Sequence, residues 1–119
     1  YFKDKEFYFG VDEMMMHALL LNITKFIGST YNFAPRLYLE LIHSFTNGNL
    51  ERVRELQKIS VTMVEILNKY GGLPAFKALM RLIGIDCGPC RLPLSRFDSS
   101  LLPKMEAELA QHGITQWLG

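Results

Sequence analysis

Apolar residues recur at two different periods along this chain, and the change of period divides it. Phe7-Tyr8-Phe9 is a short aromatic run closed by Gly10, the pattern of a buried strand before a turn. Asp12 is placed to cap a helix carrying Met14, Met15, Ala18, Leu19 and Leu21, with Glu13 in its positive first turn. Lys25-Phe26-Ile27-Gly28 is a second small strand. Its separation of about 15 residues from the first allows a parallel crossover and excludes a tight hairpin. The first third therefore reads as one β-α-β unit.

After Asn32 the pattern is helical throughout. Leu37, Tyr38, Leu41, Ile42 and Phe45 share one face, stopped by Asn47-Gly48. Asn49 caps a long helix with Val53, Leu56, Ser60, Met63, Leu67 and Tyr70 on one side, ended by Gly71-Gly72. Pro74 opens a helix striped by Phe76, Leu79, Met80 and Ile83 and ended by Gly84. Residues 86–97 hold two prolines and read as a loop. A last helix runs from about Ser100 to His112, with Leu101, Leu102, Met105 and Leu109 inward and Gly113 as its stop. Two parallel strands alone would leave both edges unpaired, so the unit needs further strands, and no internal repeat offers them.

Composition changes this picture little. The 119 residues are 49% hydrophobic and 21% charged, an ordinary balance for a globular domain. Thirteen Lys and Arg against twelve Asp and Glu leave a formal charge of +1, which excludes a strong field for nucleic acid or an anionic membrane. No apolar run approaches the roughly 20 residues that span a bilayer. Tyr1-Phe2-Lys3-Asp4-Lys5-Glu6 has no apolar core of a signal peptide, and the chain begins without Met, as an excised one would. With only Cys87 and Cys90, the chain suits a reducing cytoplasm rather than a disulfide scaffold.

Several local motifs have bland readings. Asp12 and Glu13 are, by themselves, a helix cap and a first-turn charge; Ser29-Thr30-Tyr31-Asn32 is a polar turn before a helix. Cys87-Gly88-Pro89-Cys90 repeats the thioredoxin tetrapeptide, yet it follows a helix end where a redox motif follows a strand and opens a helix. His17, His43 and His112 fall on separate helices without ligand spacing, so no metal site is expected. Asn22-Ile23-Thr24 fits a glycosylation pattern without a secretion signal to use it. Met14-Met15-Met16 reads as core filling, and Trp117 as packing for the last segment or an oligomer contact.

Three segments carry a resemblance. Phe9-Gly10-Val11-Asp12-Glu13-Met14, then Phe26-Ile27-Gly28-Ser29-Thr30-Tyr31-Asn32, resemble the seventh and eighth strands of the N-acetylneuraminate lyases, in the dihydrodipicolinate synthase superfamily. Gly88-Pro89-Cys90-Arg91-Leu92-Pro93-Leu94 resembles that family's G-x-x-R-x-P segment. The resemblance runs in order over essentially the whole chain. It implies an α/β, helix-dominated fold: the C-terminal part of a (β/α)₈ barrel, with the last two parallel strands and their helices in 1–47 and a helical extension in 48–119. A complete barrel takes about 250 residues, so about 170 or more would precede Tyr1.

The family's activity is class I aldolase chemistry. A lysine on the sixth strand forms a Schiff base with the keto acid, and a tyrosine on the fifth relays protons. Cleavage yields pyruvate and N-acetylmannosamine without metal or separate cofactor. Neither that lysine nor the carboxylate-binding loop has a counterpart here. Lys3, Lys5, Lys25, Lys58, Lys69, Lys77 and Lys104 do not match the catalytic position, so no catalytic residue is assigned and the chain alone is expected to be inactive. The resemblance places Gly10, Asp12, Glu13 and Ser29 at the rim that binds the sugar acid's hydroxylated tail, with Leu73 adding an apolar side chain. It also implies a homotetramer. Asn22-Ile23-Thr24-Lys25 departs from the family's glycine-rich link, which puts the helix-to-strand turn in question. A diverged enzyme for another 2-keto acid, a non-catalytic binding module and a thiol oxidoreductase are the alternatives.

Overall fold

A computed structural model describes residues 4–119. Tyr1, Phe2 and Lys3, with the readings of the terminus and of Lys3, lie outside them. Five helices form the body: α1 (Met15–Leu20), α2 (Pro35–Thr46), α3 (Leu50–Lys69), α4 (Leu73–Leu82) and α5 (Leu102–Gln111). Short 3₁₀ turns at Asp12–Met14, Thr30–Asn32, Ser99–Leu101 and Thr115–Trp117 join or end them.

The twenty-residue α3 is the central element and touches the other four helices. Its Val53, Leu56, Met63 and Leu67 are fully buried against Leu37 and Leu41 of α2, Ala75 and Leu79 of α4, and Met105 and Leu109 of α5. One core thus runs across residues from both 1–47 and 48–119. The stripes read from the sequence are the faces that pack, because a helix with apolar residues three and four apart gains only by burying that side. Leu101 and Leu102 are half-buried at its margin.

All five helices end in the same double hydrogen bond. At α3, Gly71 N–H donates to Asn68 O and Gly72 N–H to Leu67 O; at α1, Asn22 N–H donates to Leu19 O and Ile23 N–H to Ala18 O. This closure needs a residue with positive φ just past the helix. Asn22 supplies it at φ 59°, a conformation more often given to glycine, so the Asn-Ile-Thr-Lys link keeps a tight turn. At the start of α3, Asn49 accepts from Arg52 N–H at 3.1 Å, the expected cap.

The first third differs from expectation. The two predicted strands are reduced, among the described residues, to a single parallel bridge between Phe9 and Phe26. Phe9 N–H donates to Lys25 O at 2.9 Å and Ile27 N–H to Phe9 O at 3.0 Å. With no third strand beside either segment among the described residues, the pairing has little to propagate it. Phe7, Tyr8 and Ile27 stay exposed. The helix after Gly10 starts later than predicted. Asp12 does not cap it: Val11 stands at the N-cap position of the 3₁₀ turn, and no side chain caps it. The methionine cluster also splits, with Met15 buried, Met16 half-buried and Met14 42% exposed; Leu21 is 74% exposed.

The C-terminal end is tied down by Arg36, whose guanidinium donates to the carbonyls of Gln116, Leu118 and Gly119. Trp117 packs half-buried against the core, with Arg52 over its ring at 5.9 Å.

Candidate functional site

Because the Phe9–Phe26 pairing is parallel, the residues that follow each segment leave in the same direction. Gly10-Val11-Asp12-Glu13 and Gly28-Ser29-Thr30 therefore emerge at one end. The Asp12 side chain joins them. Its Oδ2 accepts from Thr30 N–H at 3.0 Å and from Thr30 Oγ1 at 2.5 Å. A Cβ built on Gly28 would fall 1.7 Å from Asp12 Oδ1, so this carboxylate rests directly on the glycine backbone.

Asp12 is only 5% exposed. Its other oxygen, Oδ1, is buried with no hydrogen-bond partner among the described residues. Tyr31 Oη is likewise without a partner in strict hydrogen-bond geometry, and a looser contact with the Asp12 carboxylate acts on it. Burial first, and then the Asp12 charge, push the Tyr31 phenol well above its ordinary range. The Tyr31 ring stands edge-on to Tyr38 with centroids 4.7 Å apart.

Behind Thr30 lies a file of hydroxyls. Thr30 Oγ1 is 2.8 Å from Tyr38 Oη on α2, which is 2.8 Å from Ser60 Oγ on α3. Burial pushes Tyr38 up to about 12, against the pull of its hydrogen bonds with Ser60 and Thr30. The first turn of α1 is clamped from α3 as well: Gln57 Nε2 donates to Glu13 O and Gln57 Oε1 accepts from Met16 N–H, both at 2.7 Å.

The remaining predicted site residues are more open. Glu13 is half-buried, and its carboxylate makes no hydrogen bond among the described residues. Ser29 and Gly10 are exposed. Ser29 and Leu73, the latter 48% exposed at the start of α4, line one cleft of about 310 Å³ with Asn32, Phe33, Phe76 and Cys87. Gly10, Asp12 and Glu13 do not line that cleft. The structure thus brings Ser29 to Leu73 on one side and sets it beside the Asp12–Thr30 stitch on the other.

Sequence reasoning passed over Thr30, Tyr38, Ser60, Gln57 and the close approach at Gly28. A signal was available. Ser60 and Tyr38 are polar groups on otherwise apolar inward stripes, and buried hydroxyls require partners. Cys87 is exposed and Cys90 half-buried, both as free thiols, within a segment 85–98 that holds no helix. That geometry lacks the helix N-terminus that activates a redox thiol.

Residues 2–112 match the model of the dihydrodipicolinate synthetase family. The chain belongs to that family. Among individual relatives, the N-acetylneuraminate lyase of Lactiplantibacillus plantarum is 39% identical over 107 residues, which are 89% of this chain and 35% of that protein. The N-acetylneuraminate lyase of Rhizobium meliloti is 31% identical over 103 residues, 87% of this chain and 34% of its own. The solved N-acetylneuraminate lyase of Proteus mirabilis superposes with a TM-score of 0.82 at 35% identity, covering 89% of this chain and 36% of that one. The chain spans about a third of the length of the curated relatives it matches.

Within this family member, none of the described lysines is buried. Lys25 pairs with Glu6, Lys69 with Glu108, and Lys77 donates to the carbonyls of Cys87 and Pro89. An amine that attacks a carbonyl at neutral pH needs desolvation or a neighbouring cation to keep it neutral. No helix among the described residues is long and apolar enough to cross a membrane.

Proposed function

We propose that this chain is the C-terminal, pocket-forming part of a class I aldolase that cleaves N-acetylneuraminate to N-acetylmannosamine and pyruvate. In this reading, 1–47 supply the last two β/α units of a (β/α)₈ barrel and 48–119 a helical extension. The reactive lysine and the proton-relaying tyrosine come from outside these residues. Gly10, Asp12, Glu13, Ser29 and Leu73 form the side of the pocket that meets the sugar's hydroxylated tail. Carboxylate and hydroxyl acceptors suit a ligand rich in O–H donors. The complete enzyme would be a cytoplasmic homotetramer needing no metal or separate cofactor.

The observation that supports this reading is the parallel Phe9–Phe26 pairing, after which Gly10 to Glu13 and Ser29 leave in the same direction, as the loops at the ligand-binding end of a barrel do. The names of the relatives support the substrate. Pyruvate release from N-acetylneuraminate decides it. The native polypeptide should release pyruvate, and borohydride with pyruvate should trap a covalent adduct on it. The purified 119-residue chain should do neither. A native polypeptide inert toward N-acetylneuraminate, or an adduct on a lysine of the 119-residue chain, would overturn the proposal.

A further inference from the structure

A carboxylate can only accept hydrogen bonds. The single hydroxyl proton of Thr30 therefore goes to Asp12 Oδ2, 2.5 Å away. Thr30 Oγ1 is then left to accept from Tyr38 Oη, and Tyr38 Oη to accept from Ser60 Oγ, each at 2.8 Å. Every hydroxyl in this file has one role, and the file runs from the centre of α3 through α2 to the polar rim. All four residues are at most 5% exposed. Asp12 is thus held from one side only. Oδ2 takes two bonds, while Oδ1 lies buried over Gly28 on the side where Tyr31 meets the carboxylate.

We propose that Tyr38 is a positioning residue: through Thr30, and backed by Ser60, it fixes the Asp12 carboxylate, with Tyr31 packed on its other side, at the end of the fold where the sugar tail is proposed to bind. This rests on the sugar-tail reading above for the identity of the ligand, but the positioning itself does not.

Two measurements separate the parts. In the full 119-residue chain, amide exchange at Thr30 reads the Asp12–Thr30 stitch directly. Tyr38→Phe should speed it by about tenfold, the loss of roughly one net hydrogen bond. Tyr70→Phe, which removes a phenol bonded to Glu108 at the other end of α3, should leave it unchanged. Equal effects of the two variants, or no effect of Tyr38→Phe, would overturn the positioning role. In the native polypeptide, Tyr38→Phe and Tyr31→Phe should each raise KM for N-acetylneuraminate several-fold with kcat held within about twofold. An active wild type whose KM ignores both substitutions would also overturn it. A wild type with no turnover, alongside faster Thr30 exchange, sinks the substrate assignment and leaves the positioning role supported.

Discussion

Residues 35–119 and residues 4–34 are held in different ways. The later region is held by an apolar core shared among four helices, each closed by a local signal at its end. The earlier region has, among its described residues, one short helix and a single bridged pair of extended residues; it lends Met15, Leu19, Phe33 and Ala34 to the same core, and its turns are fixed by polar contacts: Asp12 on Thr30, and Gln57 on Glu13 and Met16. Hydrophobic burial is non-directional and tolerates small shifts, whereas a buried carboxylate stitched by two donors holds its place only if the geometry is kept. The contrast places most of the apolar burial in one part and the geometry of the proposed site in the other.

The comparison is broken hardest in the helical region. Leu67 is fully buried near the C-terminal end of α3, and Leu67→Ala should cost about 2–5 kcal/mol by urea unfolding. A loss below about 1 kcal/mol would show that this core does not dominate stability.

Alkaline titration probes the junction of the two regions. Tyr38 is pushed by burial from its ordinary 10 up to about 12. The folded chain therefore keeps a proton that the unfolded chain has released. The stability it contributes is intact below about pH 10 and falls as pH rises toward 12, by at most roughly 3 kcal/mol. Tyr38→Phe should lessen that fall, leaving the part that the raised Tyr31 phenol contributes. An unchanged slope would mean that Tyr38 titrates normally.

Gly28→Ala sharpens the contrast on the polar side. The new methyl meets the Asp12 carboxylate, so a destabilisation of about 1–3 kcal/mol and faster exchange at Thr30 are expected. Gly10→Ala is the matched control, because its nearest atom would be Ile27 O at an ordinary 3.6 Å. Similar losses for both would show that the Gly28 contact is not special. The smallest effect is Asn49→Ala, about 1 kcal/mol from the lost cap of α3, read as a lower thermal midpoint with the Asp12 network undisturbed.

The sequence by itself determined the helical region. Spacing of apolar residues, Asn49 at one end and Gly71-Gly72 at the other depend on positions within a few residues of each other, so they are legible without the fold. The resemblance carried by Gly10 to Glu13 and Ser29 likewise led to the family that residues 2–112 match. Only the tertiary structure decided what Asp12 does. Read locally it was a helix cap; folded, it turns away from its own helix to Thr30, eighteen residues on, because the parallel pairing brings that amide within reach. The hydroxyl file behind it joins residues on three separate elements, and contacts of that range leave no period in the sequence. Strand length was decided the same way, since a strand persists only as far as a neighbour bonds to it.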